Sequence, residues 1–282
     1  MSETKNYIEA FGAIMSPPDI RDWRISKRCL AADFPESFEL TMPSVKNQGS
    51  VGSCVAHSIT TVAEYYNIKQ HNIATPLSVG YVYGNRGVLM GNNQGMITRL
   101  AIANFCSDGT PFNDDFPDHY EVPEIIDKVK SVKDSLHDAA TQFRFTAYLR
   151  TDSEEEMKTA LMNGNPIIIA VDWQKDMCYR DGKFFSTFLA GKSGGHAMVI
   201  YGWDKDGWKV QNSWGIGWGN KGTAIWPYLY KIREKYAIID TLDTALVIDK
   251  PFKTTNAFGR FWVKVANIAY ALWYNIKHKL SK

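Results

Sequence analysis

The spacing of apolar residues changes period halfway along the chain, and that change restricts the fold more than any other feature. Over residues 54–70 the apolar positions Val55, Ile59, Val62, Ala63 and Tyr66 recur at helical spacing. Ser53 stands where an N-cap belongs, and glycines punctuate the approach from Gly49 to Gly52. Further helices are predicted around 96–105 and 153–163. The latter opens with Thr151-Asp152-Ser153 and then Glu154, Glu155 and Glu156, read as a solvated acidic start at the positive end of the helix dipole. Beyond it the pattern becomes that of strands. Residues 166–171 form a short β-branched run, and 197–203 and 208–211 flank a Lys205-Asp206-Gly207 turn. Residues 223–226 and 236–240 are further strand candidates. Helices first and strands second predict an α+β protein of two packed halves.

The 282 residues, 13% of them aromatic, suffice for a buried core without disulfide staples, and bulk disorder is excluded. No segment reaches the roughly 18 consecutive apolar residues of a membrane-spanning helix. The first ten residues have no apolar stretch and include two acids, so no secretory signal is expected. The four cysteines, Cys29, Cys54, Cys106 and Cys178, form no metal-ligand spacing, which points to reduced thiols in an intracellular or cytoplasmic compartment and to no metal or organic cofactor. The formal net charge of +2 conceals an asymmetry. Residues 250–282 carry seven basic residues and no acid, while the rest of the chain is acidic. Phe258, Phe261, Trp262, Val265, Ile268, Leu272 and Ile276 fall at helical spacing there, which predicts a basic amphipathic helix. Its expected partner is the protein's own body or another protein, then a membrane surface; nucleic acid ranks last.

Three short stretches carry chemistry. Gln48-Gly49-Ser50-Val51-Gly52-Ser53-Cys54 puts a thiol at a helix start, where the dipole favours thiolate. Such a nucleophile needs a base, and the base an orienting group. Gly194-Gly195-His196 supplies the first and Gln211-Asn212-Ser213-Trp214-Gly215-Ile216-Gly217-Trp218-Gly219 the second, both at strand ends. His196 follows Cys54 by about 140 residues and Asn212 by about 160, against roughly 130–150 for both partners in papain-type enzymes. Together and in this order, these motifs resemble those of the papain-like cysteine peptidases over about Phe34 to Asp240.

The resemblance implies two subdomains, a helical one and a β-barrel-like sheet, with the cleft between them, and a polypeptide substrate cleaved through an acyl-enzyme. Cys54 would attack the scissile carbonyl, His196 would carry the proton, and Asn212 would fix the imidazole tautomer. Gln48 and the Cys54 N–H would bind the oxyanion. Trp214 would shield the His196–Asn212 bond, Trp218 would line the leaving-group side, and Gly95 and Gly195 would meet the substrate backbone. Val51 stands where secreted members have a disulfide cysteine, Val55 where tryptophan is usual, and His57 where phenylalanine is usual; these departures resemble bacterial, archaeal and viral members more than lysosomal ones. Ser16-Pro17-Pro18-Asp19-Ile20-Arg21-Asp22-Trp23 likewise looks like the short lead of such members, with no long helical propeptide. Residues 1–33 are therefore expected to be an irregular lead that covers the cleft in a latent form, followed by a peptidase domain over 34–249 and the tail over 250–282.

His57, one turn along the helix from Cys54, is expected to project into the core rather than act in catalysis. His71, His119, His137 and His278 lack motif context and read as surface residues. Two alternatives keep the same fold: an assembly protein that retains a peptidase-like domain, and an acyl-transferase that uses the same triad.

Overall fold

A run of small and apolar residues in the lead, Ala10-Phe11-Gly12-Ala13-Ile14, lies near the start of the described residues. The structure, a computed structural model, describes residues 9–16, 19, 22–25, 33–86, 95–117, 124–240 and 248–249. The predicted tail, His119, His278 and Cys29 lie outside them.

The lead is not irregular throughout. It contains β1 (Ala13–Ile14) and β2 (Arg24–Ile25), and β3 (Phe38–Glu39) follows. Helix α1 (Cys54–His71) matches its expected extent. It ends at Asn72, a left-handed residue whose N–H returns to the Asn67 and Ile68 carbonyls. Helix α2 (Val79–Gly84) was not legible as a helix, being one short turn of valines, tyrosines and glycines capped by the Ser78 hydroxyl. After β4 (Met96–Ile97) comes α3 (Thr98–Asp108), shifted from the predicted 96–105 because β1 pairs with the two residues before it. Helices α4 (Glu124–Lys130) and α5 (Asp134–Ala140) are short and polar, and carry too few apolar repeats to announce themselves.

Strand β5 (Ala147–Arg150) precedes α6 (Glu154–Met162), which has the expected start with one correction. Glu156 is not a solvated acid: it is buried and closes a capping box with Ser153. The strand half then runs through β6 (Ile167–Gln174), β7 (Cys178–Arg180), β8 (Lys183–Phe185), β9 (Lys192–Asp204), β10 (Gly207–Gln211), β11 (Thr223–Pro227), β12 (Glu234–Ile239) and β13 (Ile248–Asp249). The main sheet has the order β5-β12-β6-β9-β10-β11-β8-β7, with β3 on β9.

Its central strands are buried on both faces. Along β6, Ile168 and Ala170 face the helical core while Ile167, Ile169 and Val171 face a second core. Ala197 and Val199 of β9 alternate with Met198 and Ile200 in the same way, as do Tyr236 and Ile238 of β12 with Ala237 and Ile239. A period of two with both phases apolar is what a strand between two cores requires. The first core holds α1, α2 and α3; the second holds Trp203, Trp208, Trp214, Trp218 and Trp226. The two-half α+β architecture is thus present, with the halves joined through shared strands.

Candidate active site

Cys54 opens α1, and the loop before it is stitched to the strand half. Gln48 N–H donates to the Ser213 carbonyl at 2.8 Å, and Gly215 N–H to the Lys46 carbonyl at 2.9 Å. These bonds hold the thiol of one half against β9 of the other. Gly49, with φ +58, supplies a left-handed turn in this loop. Ser53 occupies the N-cap position but makes no capping bond. Its hydroxyl lies 3.2 Å from His57 Nδ1, which donates to the Ser53 carbonyl at 3.0 Å. His57 is buried, and burial first and the Lys46 charge second push its pKa down to about 3. The expectation that it belongs to the core is met.

His196 lies on β9, and Asn212 immediately follows β10. His196 Nε2–H donates to Asn212 Oδ1 at 2.7 Å, and the same oxygen accepts the Ser213 N–H at 2.7 Å. Two donors on one oxygen fix the amide orientation, and the amide fixes the tautomer. Nδ1 is left as the basic nitrogen, and it has no hydrogen-bond partner. Trp214 stacks on the imidazole at 4.4 Å, and Trp218 meets Trp214 edge-on at 5.8 Å. Both indoles are buried, so the His196–Asn212 bond is shielded from water.

Gln48 is oriented by a residue that the sequence reading did not single out. Ser213 Oγ donates to Gln48 Oε1 at 2.6 Å, so the side-chain amide must present Nε2 to its other neighbours. Nε2 donates to the Val51 carbonyl at 2.7 Å and to the Ala10 carbonyl at 3.3 Å. The only prior sign of Ser213 was its place inside the Asn212–Gly219 stretch.

The lead occupies this cleft. Gly12 N–H donates to the Gly195 carbonyl at 3.0 Å, and Met96 N–H donates to the Gly12 carbonyl at 2.7 Å. β1 thus pairs with β4 in parallel. A side-chain carbon at Gly95 would meet the Gly12 carbonyl oxygen at 2.9 Å, and one at Gly195 the Ala13 carbonyl oxygen at 1.9 Å. The two glycines proposed for backbone contact therefore flank a bound strand, here the chain's own. Phe11 sets its ring edge-on to His196 at 6.2 Å and Trp214 at 6.0 Å.

Burial sets the acid–base character of the cleft. Burial pushes the Cys54 thiol up to about 11, against smaller stabilising backbone hydrogen bonds from Ala197 and Gly12. Burial also pulls His196 down to about 4, opposed by its bond to Asn212. In this covered form desolvation therefore opposes the thiolate that the dipole at the helix start favours.

Of the remaining candidates, His71 is exposed as expected, whereas His137 is half-buried with Nδ1 2.5 Å from the Tyr81 hydroxyl. Cys106 and Cys178 are free and partly buried. Among the described residues no group of three or more His, Cys, Asp or Glu is arranged to hold a metal, and no helix is long and apolar enough to cross a membrane.

Residues 31–235 match the family model described as papain family cysteine protease. Ananain from Ananas comosus is 31% identical over 221 residues, covering 74% of this chain and 55% of ananain. A viral cathepsin from Adoxophyes honmai nucleopolyhedrovirus is 27% identical over 217 residues, covering 73% of this chain and 58% of the relative. The chain spans somewhat more than half the length of these relatives. Among solved structures, xylellain, a cysteine protease from Xylella fastidiosa, shares the fold with a TM-score of 0.70 at 22% identity over 82% of this chain and 96% of xylellain. The relatives thus include plant, viral and bacterial proteins, and the match spans both the helical and the strand half: the chain belongs to the papain family of cysteine proteases.

Proposed function

We propose that this protein is a cysteine peptidase that cleaves peptide bonds through a thioester acyl-enzyme and is held latent by residues 10–16 of its own chain. The observation that carries the reading is the His196–Asn212 pair at 2.7 Å, which leaves Nδ1 as the basic nitrogen, while the Cys54 thiol accepts from the backbone of Ala197, the residue after His196. In the open cleft Cys54 gives its proton to His196 Nδ1, and the sulfur attacks the scissile carbonyl carbon. The carbonyl oxygen takes up the negative charge and accepts from Gln48 Nε2 and the Cys54 N–H. Removing one such donor typically costs about 10²–10³ in rate. The C–N bond breaks as His196 returns the proton to the leaving amine. Water, deprotonated by His196, then attacks the thioester, and the acid leaves with the thiol restored. Asn212 keeps the imidazole upright through both proton transfers.

The course of the lead supports latency. His196 must reach the leaving amine, so the leaving-group side of the cleft is the one walled by Trp214, and the acyl side is bordered by Gly95 and β4. A substrate runs N to C from the acyl side to the leaving side. The lead runs the other way, with Phe11 at Trp214 and Ala13–Ile14 along β4. A strand threaded in reverse fills the site while its peptide bonds face the machinery in the wrong sense.

Gly12 provides the test. A side-chain carbon there would sit 1.8 Å from the Gly52 carbonyl oxygen, a backbone atom that cannot give way. Full-length Gly12→Ala is expected to cleave a generic peptide and to react with an epoxide thiol trap, and a further Cys54→Ala to abolish both. A folded Gly12→Ala protein that never reacts with the trap overturns the peptidase reading. Wild-type protein that reacts as fast as Gly12→Ala overturns latency alone.

A further inference from the structure

Trp173 stands out in the strand half because no part of the mechanism above needs it. It ends the aliphatic stretch of β6, opposite Gly194 in the β6–β9 ladder, and the pairing register shifts immediately after it. Its indole meets Trp214 at 4.8 Å and His196 at 5.4 Å, both edge-on, and it is tilted against Phe11 at 6.4 Å. With Trp214 it makes two aromatic walls on the leaving-group side of His196. Gly194 leaves the space between them open: a side-chain carbon there would lie 2.7 Å from Phe11 Cβ. Phe11 fills that space with edge-on and tilted ring contacts, the geometry aromatic pairs prefer.

A second observation separates this wall from ordinary core packing. Trp173 is 1% exposed, yet its Nε1–H finds no acceptor. An unpaired buried donor is costly, and a phenylalanine would fill a core without it.

We infer that Trp173 is the specificity-determining residue of an aromatic subsite for the first leaving-side residue of the substrate, and that Phe11 is the lead's occupant of that subsite. The inference rests on the peptidase reading and adds a substrate class to it: chains with phenylalanine or tyrosine on the amine side of the scissile bond. An aliphatic or acidic residue there gains no ring contact, and an acidic one would be desolvated without a partner.

The test uses the full chain carrying Gly12→Ala and a set of peptides that differ only at the leaving-side residue: Phe, Tyr, Ala or Asp. The expected result is a kcat/KM for Phe and Tyr at least about tenfold above Ala, the scale on which apolar pockets discriminate. Trp173→Leu is expected to bring the Phe-to-Ala ratio to within about twofold, while Trp173→Phe retains most of it. Cleavage with no leaving-side preference, or a preference that survives Trp173→Leu, overturns the inference. A parallel series keeps the subsite decidable if no peptide is cut or if Trp173→Leu does not fold. In the otherwise wild-type chain, Phe11→Ala is expected to speed trap labelling of Cys54 about tenfold and Phe11→Tyr to leave it unchanged. Equal labelling of wild type and both variants overturns the subsite. No cleavage of any peptide, with the labelling difference intact, counts instead against the peptidase reading.

Discussion

Ser213 does for Gln48 what Asn212 does for His196: it settles which end of an ambiguous polar group faces the chemistry. With Oε1 held by the hydroxyl at 2.6 Å, the amide N–H groups have one direction left to point. Ser213→Ala in the Gly12→Ala chain is therefore expected to lower kcat by about 10- to 100-fold with little change in KM, a loss at or below that of removing an oxyanion donor outright. An unchanged kcat in steady-state assays would show that Gln48 needs no such brace. The candidate nucleophile Cys54, its partner base His196, orienting amide Asn212 and oxyanion donor Gln48 each sit in a short stretch whose residue types are dictated by chemistry, which makes the stretches legible in the sequence. Ser213, Trp173 and Gly12 were not legible in this way. Their roles depend on what lies across the cleft from them, and nothing in the local sequence encodes a neighbour more than a hundred residues away. The burial that pushes the Cys54 thiol up to about 11 is hidden for the same reason: helix position is local, and burial in the folded chain is not.

The lead is fastened at the scale of elements. Past β1, the Ser16 N–H donates to Glu234 on β12 at 2.5 Å. Arg99 of α3 binds Asp22 through Nε at 2.6 Å and Asp19 through Nη2 at 2.9 Å. Asp22 is buried, so Arg99→Ala would strand its charge and is expected to free the cleft, read as faster trap labelling of Cys54. Glu234 makes stability depend on pH. Burial, helped by the nearby Asp22 charge, raises its carboxyl to about 7, while bonds from Ser16 oppose the shift. In the unfolded chain that carboxyl returns to its ordinary value of 4.5. The folded form therefore holds a proton that the unfolded form releases, so this contribution to stability is full below about pH 4.5 and is lost as pH rises toward about 7. Across that window His57 and His196, pulled by burial down to about 3 and about 4, gain stability as pH rises and offset this loss. In thermal melts of Cys54→Ala protein, Glu234→Gln is therefore expected to raise the midpoint at pH 7 relative to pH 4.5, compared with its parent. Asp240, also raised to about 7 by burial, contributes with the same sign as Glu234, so the difference between the two proteins is the diagnostic quantity. A Glu234→Gln curve parallel to its parent would refute the linkage. These elements show where periodicity reads well and where it does not. Long α1 and the buried strands carried enough apolar repeats to be seen, whereas β1, β2 and α2 owe their form to partners elsewhere in the chain.

On the scale of the whole molecule, β6, β9 and β12 each feed one set of side chains into the helical core and the alternate set into the tryptophan-rich core. Neither core can lose its packing while those strands stay ordered for the other. Urea unfolding of the intact chain, followed by tryptophan fluorescence and by far-ultraviolet circular dichroism, is expected to give coincident single transitions; separated midpoints would show that the halves melt independently. Among the described residues, the lead adds only Ala13 to the first core and Ile25 to the second, and this has a further consequence. Its hold on the cleft rests on main-chain bonds to Gly195 and Met96 and on a few side chains, a grip that is weak for a free peptide. Joined to the body, it competes at an effective concentration on the order of millimolar. A single cut between Ile25 and Asp33 would leave every contact in the cleft intact and still open it, because the severed strand would dissociate into bulk solution and dilute away. Activation by such a cut would be set by dilution, with the affinity of the plug unchanged.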